Sequence, residues 1–110
     1  MLEALWSVEF VSNLQSFGAG VAVFETGRVF GGDSQYYYLG TFRVANGVAQ
    51  ANIKVNHCFG LPSSIFGPMK KFNLKLTGQP NTPVMELRGH LVEDPKLQIY
   101  IRLTKRADLP

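Results

Sequence analysis

The stretch YYYLGTFRVANGVAQANIKVNH, residues 36–57, decides the fold of this chain. Asn46 and Gly47 lie at its centre, and both residues tolerate the positive φ that a type I′ hairpin turn requires. If they form a two-residue loop, Tyr36 faces His57, and one face of the pair carries only apolar, small or amphipathic side chains. A shift of one residue would mix the two faces. The stretch is therefore predicted to be an antiparallel hairpin with one buried face.

Three consecutive tyrosines cannot all point the same way on a strand, because successive side chains point to opposite faces. In the predicted register, Tyr37 and Leu39 point outward together. The residues that point inward are predicted to line the interior, and some of them are small enough to leave room for a ligand: Tyr36, Tyr38, Gly40, Ala49 and Ala51.

Alternation with a period of two continues through most of the chain, while helical periodicity is nearly absent. Thr26 and Gly27 give a second hairpin signal. Residues 59–68 interrupt the alternation and could hold one helical turn at most. The predicted strands are residues 4–11, 20–25, 28–30, 36–44, 48–57, 71–77, 84–91 and 97–104.

The last two predicted strands form a hairpin of the same kind. If Leu91 faces Leu97, then Glu86 lies across from Arg102 in a favourable charge pair. With no helix to cover the apolar faces, eight short strands must close on themselves or split into a sandwich. An up-and-down order favours a closed barrel, which also leaves no exposed edge. The prediction is an all-β, eight-stranded antiparallel barrel in a single domain, residues 1–110.

We predict structural roles for the tripeptide Gly31-Gly32-Asp33 and for the turn residues Asn46 and Gly47. The tripeptide lacks the Lys and Ser/Thr of a phosphate-binding loop. We interpret it as a bulged or left-handed connection between strands, in which Asp33 caps backbone N–H groups.

The placement of the histidines and the cysteine favours a binding protein over an enzyme. His57 and Cys58 are adjacent, so their side chains point to opposite faces of a strand and cannot form a nucleophile–base pair. Two histidines and one cysteine without ligand spacing predict no metal site. No catalytic residue or cofactor is predicted.

The net charge of +3 raises the question of whether the protein binds nucleic acid. The basic residues form doublets, not long runs, and a solvated face explains them. Binding to nucleic acid is therefore not expected, and a weak phosphate contact remains the alternative; its residues would be Lys70, Lys71, Lys105 and Arg106. One cysteine allows no intrachain disulfide, and neither a signal peptide nor a membrane-spanning run is recognisable. These features predict a soluble, cytoplasmic protein without a membrane contact.

Three segments carry a resemblance to a known family: LWSVEFVSN at 5–13, GAGVAVFETGRVFGGD at 18–33, and YYYLGTF at 36–42. Together they resemble the first half of the GrlR-like family, bacterial negative regulators of the type III secretion activator GrlA. The resemblance implies a lipocalin-like (calycin-like) barrel that forms a homodimer and sequesters a transcriptional regulator by direct contact.

The chain departs from this family at one loop. In GrlR-like proteins, partner binding is ascribed to an acidic Glu-Asp-Glu-Asp loop between the fourth and fifth strands. Here residues 44–48 read VANGV and contain no acid. The expected function is therefore regulation by protein–protein contact as a homodimer, through Tyr37 and Leu39, with a partner other than GrlA. The alternative is a carrier that holds a small apolar ligand inside the barrel.

Overall fold

The computed structural model describes residues 2–110, and within them the secondary structure is entirely β, without a helix. Turns or short loops join most of the strands, and only residues 58–70 form a long connection. The eight strands are β1 (Ala4–Ser12), β2 (Phe17–Glu25), β3 (Arg28–Gly32), β4 (Tyr36–Ala45), β5 (Val48–His57), β6 (Lys71–Gly78), β7 (Val84–Leu91) and β8 (Gln98–Ala107).

The strands close into an up-and-down antiparallel barrel. Each strand pairs with the next along the chain, and β8 returns to pair with β1. The β1–β8 register shifts between Leu5 and Trp6, where the ladder has an irregularity. Because the sheet closes on itself, none of the eight strands within residues 2–110 presents an unpaired edge. The predicted fold class, an eight-stranded barrel consistent with a lipocalin-like one, is confirmed.

The central hairpin has the predicted register along its whole length. Tyr36 pairs with His57, and the pairing continues without a shift to Ala45 and Val48. Asn46 and Gly47 have φ values of 54° and 75°, the left-handed values that a type I′ turn needs. The register of the last hairpin is confirmed as well, since Glu86 pairs with Arg102.

Several strand ends differ from the sequence prediction. The strand β2 begins at Phe17, three residues earlier than predicted, because residues 17–19 pair with β1 and continue its ladder. The strand β8 runs on to Ala107, where it pairs with Leu5. Residues 59–68 form no helical turn and instead fold around an isolated bridge between Ser64 and Gly67. Cross-strand pairing of this kind is not visible in local sequence patterns.

The prediction of a bulged or left-handed connection at Gly31 and Gly32 is wrong. Both residues belong to β3, pair in register with β2 and β4, and have no positive φ. Their role is close packing, because a Cβ on Gly31 would overlap the carbonyl oxygen of Val21. Gly32 approaches the carbonyl oxygen of Tyr36 in the same way, at 2.9 Å from an ideal Cβ.

An aromatic cluster fills the barrel at the end where β2 turns into β3. Trp6 is fully buried, and its indole N–H donates a hydrogen bond to the Leu2 carbonyl at 2.9 Å. Its ring lies 5.9 Å from that of Phe24, which lies 4.8 Å from that of Phe42. Aromatic rings at these separations are favourably placed. The cluster closes this end of the barrel, so any opening to the interior lies at the other end.

The turn between β2 and β3 predicts a stabilising substitution. Thr26 has φ 52°, a left-handed value that a β-branched residue adopts at a cost of roughly 1 kcal/mol or more. Asparagine tolerates this conformation, so Thr26→Asn is expected to raise the free energy of unfolding by about 1 kcal/mol. Urea denaturation measures the change. Asn46→Thr, at the corresponding position of the β4–β5 turn, is the reciprocal control and is expected to lower stability by a similar amount; equal stability of all three proteins would contradict the argument.

Candidate functional site

An apolar surface covers the outside of three neighbouring strands, and we call it the outer patch: Val21, Val23, Phe30, Tyr37 and Leu39. The register makes it continuous. Val23 pairs with Phe30, and Phe30 pairs with Leu39. In the adjacent row, Val21 pairs with Gly32, and Gly32 pairs with Tyr37. These rows lie side by side on β2, β3 and β4.

The outer patch is accessible to solvent. The exposed fractions of Val21, Tyr37 and Leu39 are 50%, 42% and 49%, which is high for large apolar side chains. The guanidinium of Arg28 at the border lies 5.8 Å from the centre of the Phe30 ring and also pairs with Glu25 at 3.2 Å. The patch itself therefore carries no charge. The Arg28–Glu25 pair neutralises its border on the side of β3, and Lys54, across from Leu39, is the charge at its border with β5.

The outer surface of the neighbouring strands is polar. On β5 and β6 the outward positions include Lys54, Lys71 and Lys75, all exposed, with asparagines between them. One sector of the barrel wall is thus apolar and another is basic and hydrated. An apolar patch bordered by polar surface is the usual mark of an interaction site.

The barrel interior contains a cavity of about 310 Å³. Its wall is largely aliphatic and aromatic, and it reaches Ser16, Phe17 and Ser34, which are exposed. The cavity therefore opens at the end of the barrel that carries the loops 13–16, 33–35 and 58–70. We call this opening the mouth.

A hydrogen-bonded cluster lies at the mouth. The carboxylate of Asp33 accepts hydrogen bonds from the backbone N–H groups of Gln35, at 2.9 Å, and Tyr36, at 2.8 Å. It also accepts a hydrogen bond from the hydroxyl of Tyr38. Asp33 thus caps backbone N–H groups, as its position after the two glycines indicated. Burial raises the pKa of the Tyr38 hydroxyl, and the hydrogen bond to Asp33 raises it further.

The loop 58–70 folds over part of the mouth. Its residues Ile65 and Phe66 are buried, and Phe66 packs edge-on against Phe72. Two side chains from different strands, β1 and β4, hold it: Ser12 donates a hydrogen bond to the Ile65 carbonyl at 2.8 Å, and Tyr36 donates one to the Met69 carbonyl at 2.6 Å. The loop therefore narrows the opening and is tied to the barrel at two points.

The five residues proposed from the sequence as interior-lining lie in three different surroundings. Tyr36, Tyr38 and Ala51 line the cavity. Ala49 is buried but does not border the cavity. Gly40 provides no room, because an added Cβ would overlap the carbonyl oxygen of Asn52 and lie 2.8 Å from the Ile53 side chain. Gly40 thus permits a close approach of two strands.

The remaining polar candidates do not converge on one site. Cys58 is exposed, while the ring of His57 packs edge-on against Tyr36 at 5.5 Å. The doublets Lys70-Lys71 and Lys105-Arg106 lie at opposite ends of the barrel, since Lys71 pairs near the long loop and Lys105 pairs with Trp6. They do not form a single basic patch.

The sequence analysis did not identify Val21, Val23 and Phe30 as part of an outer surface. The signal was present in the Thr26-Gly27 turn. Extending the pairing outward from that turn places Val23 opposite Phe30, on the face shared with Leu39. The register of this hairpin would therefore have revealed three of the five residues of the outer patch.

The Tyr38–Asp33 contact predicts a loss of stability in alkaline solution. The pKa of Tyr38 is raised in the folded protein, so above about pH 10 the unfolded chain loses a proton that the folded protein retains. The free energy of unfolding is therefore expected to fall as pH rises past this value. Urea denaturation at neutral and alkaline pH measures the slope, which Tyr38→Phe is expected to reduce; an unchanged slope in this variant would contradict the prediction.

Within residues 2–110, no helix is long and apolar enough to cross a membrane. No protein-family model matches the chain, and no curated protein matches it. The assignment of a function therefore depends on the outer patch, the cavity and the sequence resemblance described above.

Proposed function

We propose that the protein is a non-enzymatic binding protein of the GrlR-like type, which acts by protein–protein contact and forms a homodimer through the outer patch. The observation that carries the proposal is the continuous, uncharged apolar surface on β2, β3 and β4. Three of its five side chains are about half exposed, which is unfavourable in water unless a partner covers them.

The shape of the barrel supports contact through this face. A closed sheet has no edge to extend, so a second copy associates by packing face to face, with the two sheets about 10 Å apart. Gly32 lies between Val21 and Tyr37 in the patch and has no side chain to hold the sheets apart. Phe30 and Tyr37 supply aromatic side chains, which are favoured anchors at interfaces.

Self-association is favoured over other occupants because the patch is uncharged. In a two-fold dimer the same surface lies on both sides of the contact, so a charged patch would repel its own copy. The basic sector on β5 and β6, with Lys54 and Lys75, would suffer this repulsion. The outer patch itself contains no charged side chain; at its border Arg28 is paired with Glu25, and Lys54 lies across from Leu39 at the edge next to β5.

We propose that the partner is a transcriptional regulator other than GrlA. The loop 44–48 contains no acidic residue, whereas partner binding in the GrlR-like family is ascribed to an acidic loop at this place. The exposed thiol of Cys58 supports a reducing compartment such as the cytoplasm. Regulation would then depend on surfaces that remain free in the dimer.

The dimer contact is tested by placing a charge in the outer patch. Leu39→Glu is expected to weaken dimerisation by roughly 100-fold or more, because a charge buried in an apolar contact costs several kcal/mol, of which its cross-strand neighbour Lys54 offsets only part. Sedimentation equilibrium over a range of concentrations measures the change. Asn52→Glu, at an outward position of β5 outside the patch, introduces the same charge and is expected to remain a dimer. Identical association of the two variants would contradict the proposed surface.

A further inference from the structure

The cavity is a second candidate site that does not involve the outer patch. Its volume of about 310 Å³ is at the lower end of the range of ~300–1,000 Å³ typical of small-molecule sites. Its wall is apolar over most of its area, and Asp33 is the one charged residue among those that line it. Nine of the apolar wall residues come from β5, β6 and β8, among them Ile53, Val55, Leu74, Leu76, Ile99 and Ile101.

The two ends of the cavity differ in chemistry. At the far end the cavity is bordered by Phe24, which packs between Trp6 and Phe42 and offers only ring carbons. The mouth carries Asp33 and Tyr38, with Gln35 beside them. A molecule that enters through the mouth would thus place an apolar part in the barrel and keep its polar group near Asp33. This arrangement fits an amphiphilic molecule better than a uniformly polar one.

The hydrogen bonds at the mouth determine which polar group fits. The hydroxyl hydrogen of Tyr36 is donated to the Met69 carbonyl, and that of Tyr38 is donated to Asp33. Neither tyrosine therefore has a hydrogen left to donate to a ligand. What remains is acceptor capacity on the Tyr38 oxygen and on Oδ2 of Asp33, because Oδ1 already accepts from two backbone N–H groups. A polar group bound against Asp33 and Tyr38 must therefore donate a hydrogen bond to these atoms.

We propose that the barrel binds a small apolar molecule whose polar end is a neutral or cationic hydrogen-bond donor, such as an alcohol or an amine. A carboxylate ligand would bring an acceptor-only, negatively charged group against acceptors and the charge of Asp33. In a partly desolvated site this is strongly unfavourable. The amide of Gln35 and the serine hydroxyls at the mouth can each bind a hydrogen-bond donor or an acceptor. The selectivity between donor and acceptor ligands is therefore determined by Asp33 and Tyr38.

The selectivity is tested by displacing one fluorescent probe with competitors that differ in the polar group alone. N-phenylnaphthylamine, which is uncharged and has an N–H donor, is expected to bind with a rise in fluorescence. Its displacement is then measured with decanol, decylamine and decanoate. Decanol and decylamine are expected to displace it at concentrations at least about tenfold lower than decanoate, a ratio that corresponds to ~1.4 kcal/mol. Failure of the probe to bind, or equal displacement by decanoate, would overturn the proposal.

Variants of the cavity and of its mouth test where the probe binds. Ala51→Leu places extra atoms in the cavity and is expected to weaken probe binding at least about tenfold. Asp33→Asn removes the charge and is expected to reduce the preference for decanol over decanoate. Asn52→Glu, on the outer face of the same strand as Ala51, is the control and is expected to bind the probe normally. Loss of binding in Leu39→Glu but not in Ala51→Leu would place the probe on the outer patch and overturn the proposal.

The ligand site does not depend on the proposed dimer. Along β4 the side chains alternate, so Tyr36 and Tyr38 face the interior while Tyr37 and Leu39 form part of the outer patch. Probe fluorescence reports on the barrel interior, and sedimentation reports on the outer patch. A monomer that binds the probe would contradict the dimer alone, and a dimer that fails to bind it would contradict the ligand site alone.

Discussion

Gly89→Ala is expected to lower the free energy of unfolding by about 3 kcal/mol or more, a large share of the stability of a small domain. Gly89 lies in β7, paired between Leu76 and Ile99. A Cβ at this position would overlap the carbonyl oxygen of Lys75 and lie 2.8 Å from its carbonyl carbon. Because the obstacle is backbone, the added methyl must force β6 and β7 apart. Thermal or urea denaturation measures the loss.

The control for this prediction is the same substitution at Gly18. A Cβ there would overlap the Cε2 atom of the Phe10 ring and lie 2.7 Å from Cζ, but its three nearest contacts include no backbone atom. Phe10 is only partly buried, so its ring can move. Gly18→Ala is therefore expected to cost clearly less than Gly89→Ala. If the two variants were equally stable, the close approach of β6 and β7 would not be the reason for the glycine.

Asp33→Ala is expected to destabilise the protein by about 3 kcal/mol, since hydrogen bonds to a charged group contribute roughly 1.5–3 kcal/mol each and water replaces part of them. The substitution removes the acceptor of the Gln35 and Tyr36 backbone N–H groups and of the Tyr38 hydroxyl. Tyr36 is buried, so its N–H group is poorly placed to find water. Urea denaturation at neutral pH measures the effect.

Asp33→Asn separates hydrogen bonding from charge. The asparagine oxygen can still accept from the two backbone N–H groups, and its NH₂ group can donate to the Tyr38 oxygen. We expect this variant to lose less than half as much stability as Asp33→Ala. A loss as large as that of Asp33→Ala would mean that the negative charge, and not the set of hydrogen bonds, stabilises the connection between β3 and β4.

The sequence was sufficient to predict the register of two hairpins, in each of which a turn signal agrees with a clean alternation of apolar and polar residues. The Asn46-Gly47 turn set the register of β4 and β5, and this register in turn placed Tyr37 and Leu39 outside. The pair Glu86–Arg102 followed in the same way from the last hairpin. In each case a one-residue shift would expose a whole apolar face, so that local pattern and burial require the same register.

What the sequence left open depends on contacts between distant segments. Tyr36 and Tyr38 line the interior as expected, but the sequence did not show that the hydroxyl of the first is bonded to the Met69 carbonyl and that of the second to Asp33. The fold of the 58–70 loop over the mouth depends on Ser12, which is far away along the chain. Likewise, Gly40 was expected to leave space, but the strand curvature of a closed barrel brings its neighbour too close. No local pattern encodes these contacts.

The central claim is that two copies of the chain associate through the outer patch, and the mass of the purified protein under native conditions tests it most directly. Native mass spectrometry of the unmodified chain reports the number of subunits and any retained ligand in one spectrum. We predict twice the chain mass of 12.2 kDa, which shifts to the single-chain mass in Leu39→Glu and not in Asn52→Glu. A single-chain mass for the unmodified protein at every concentration would contradict the claim.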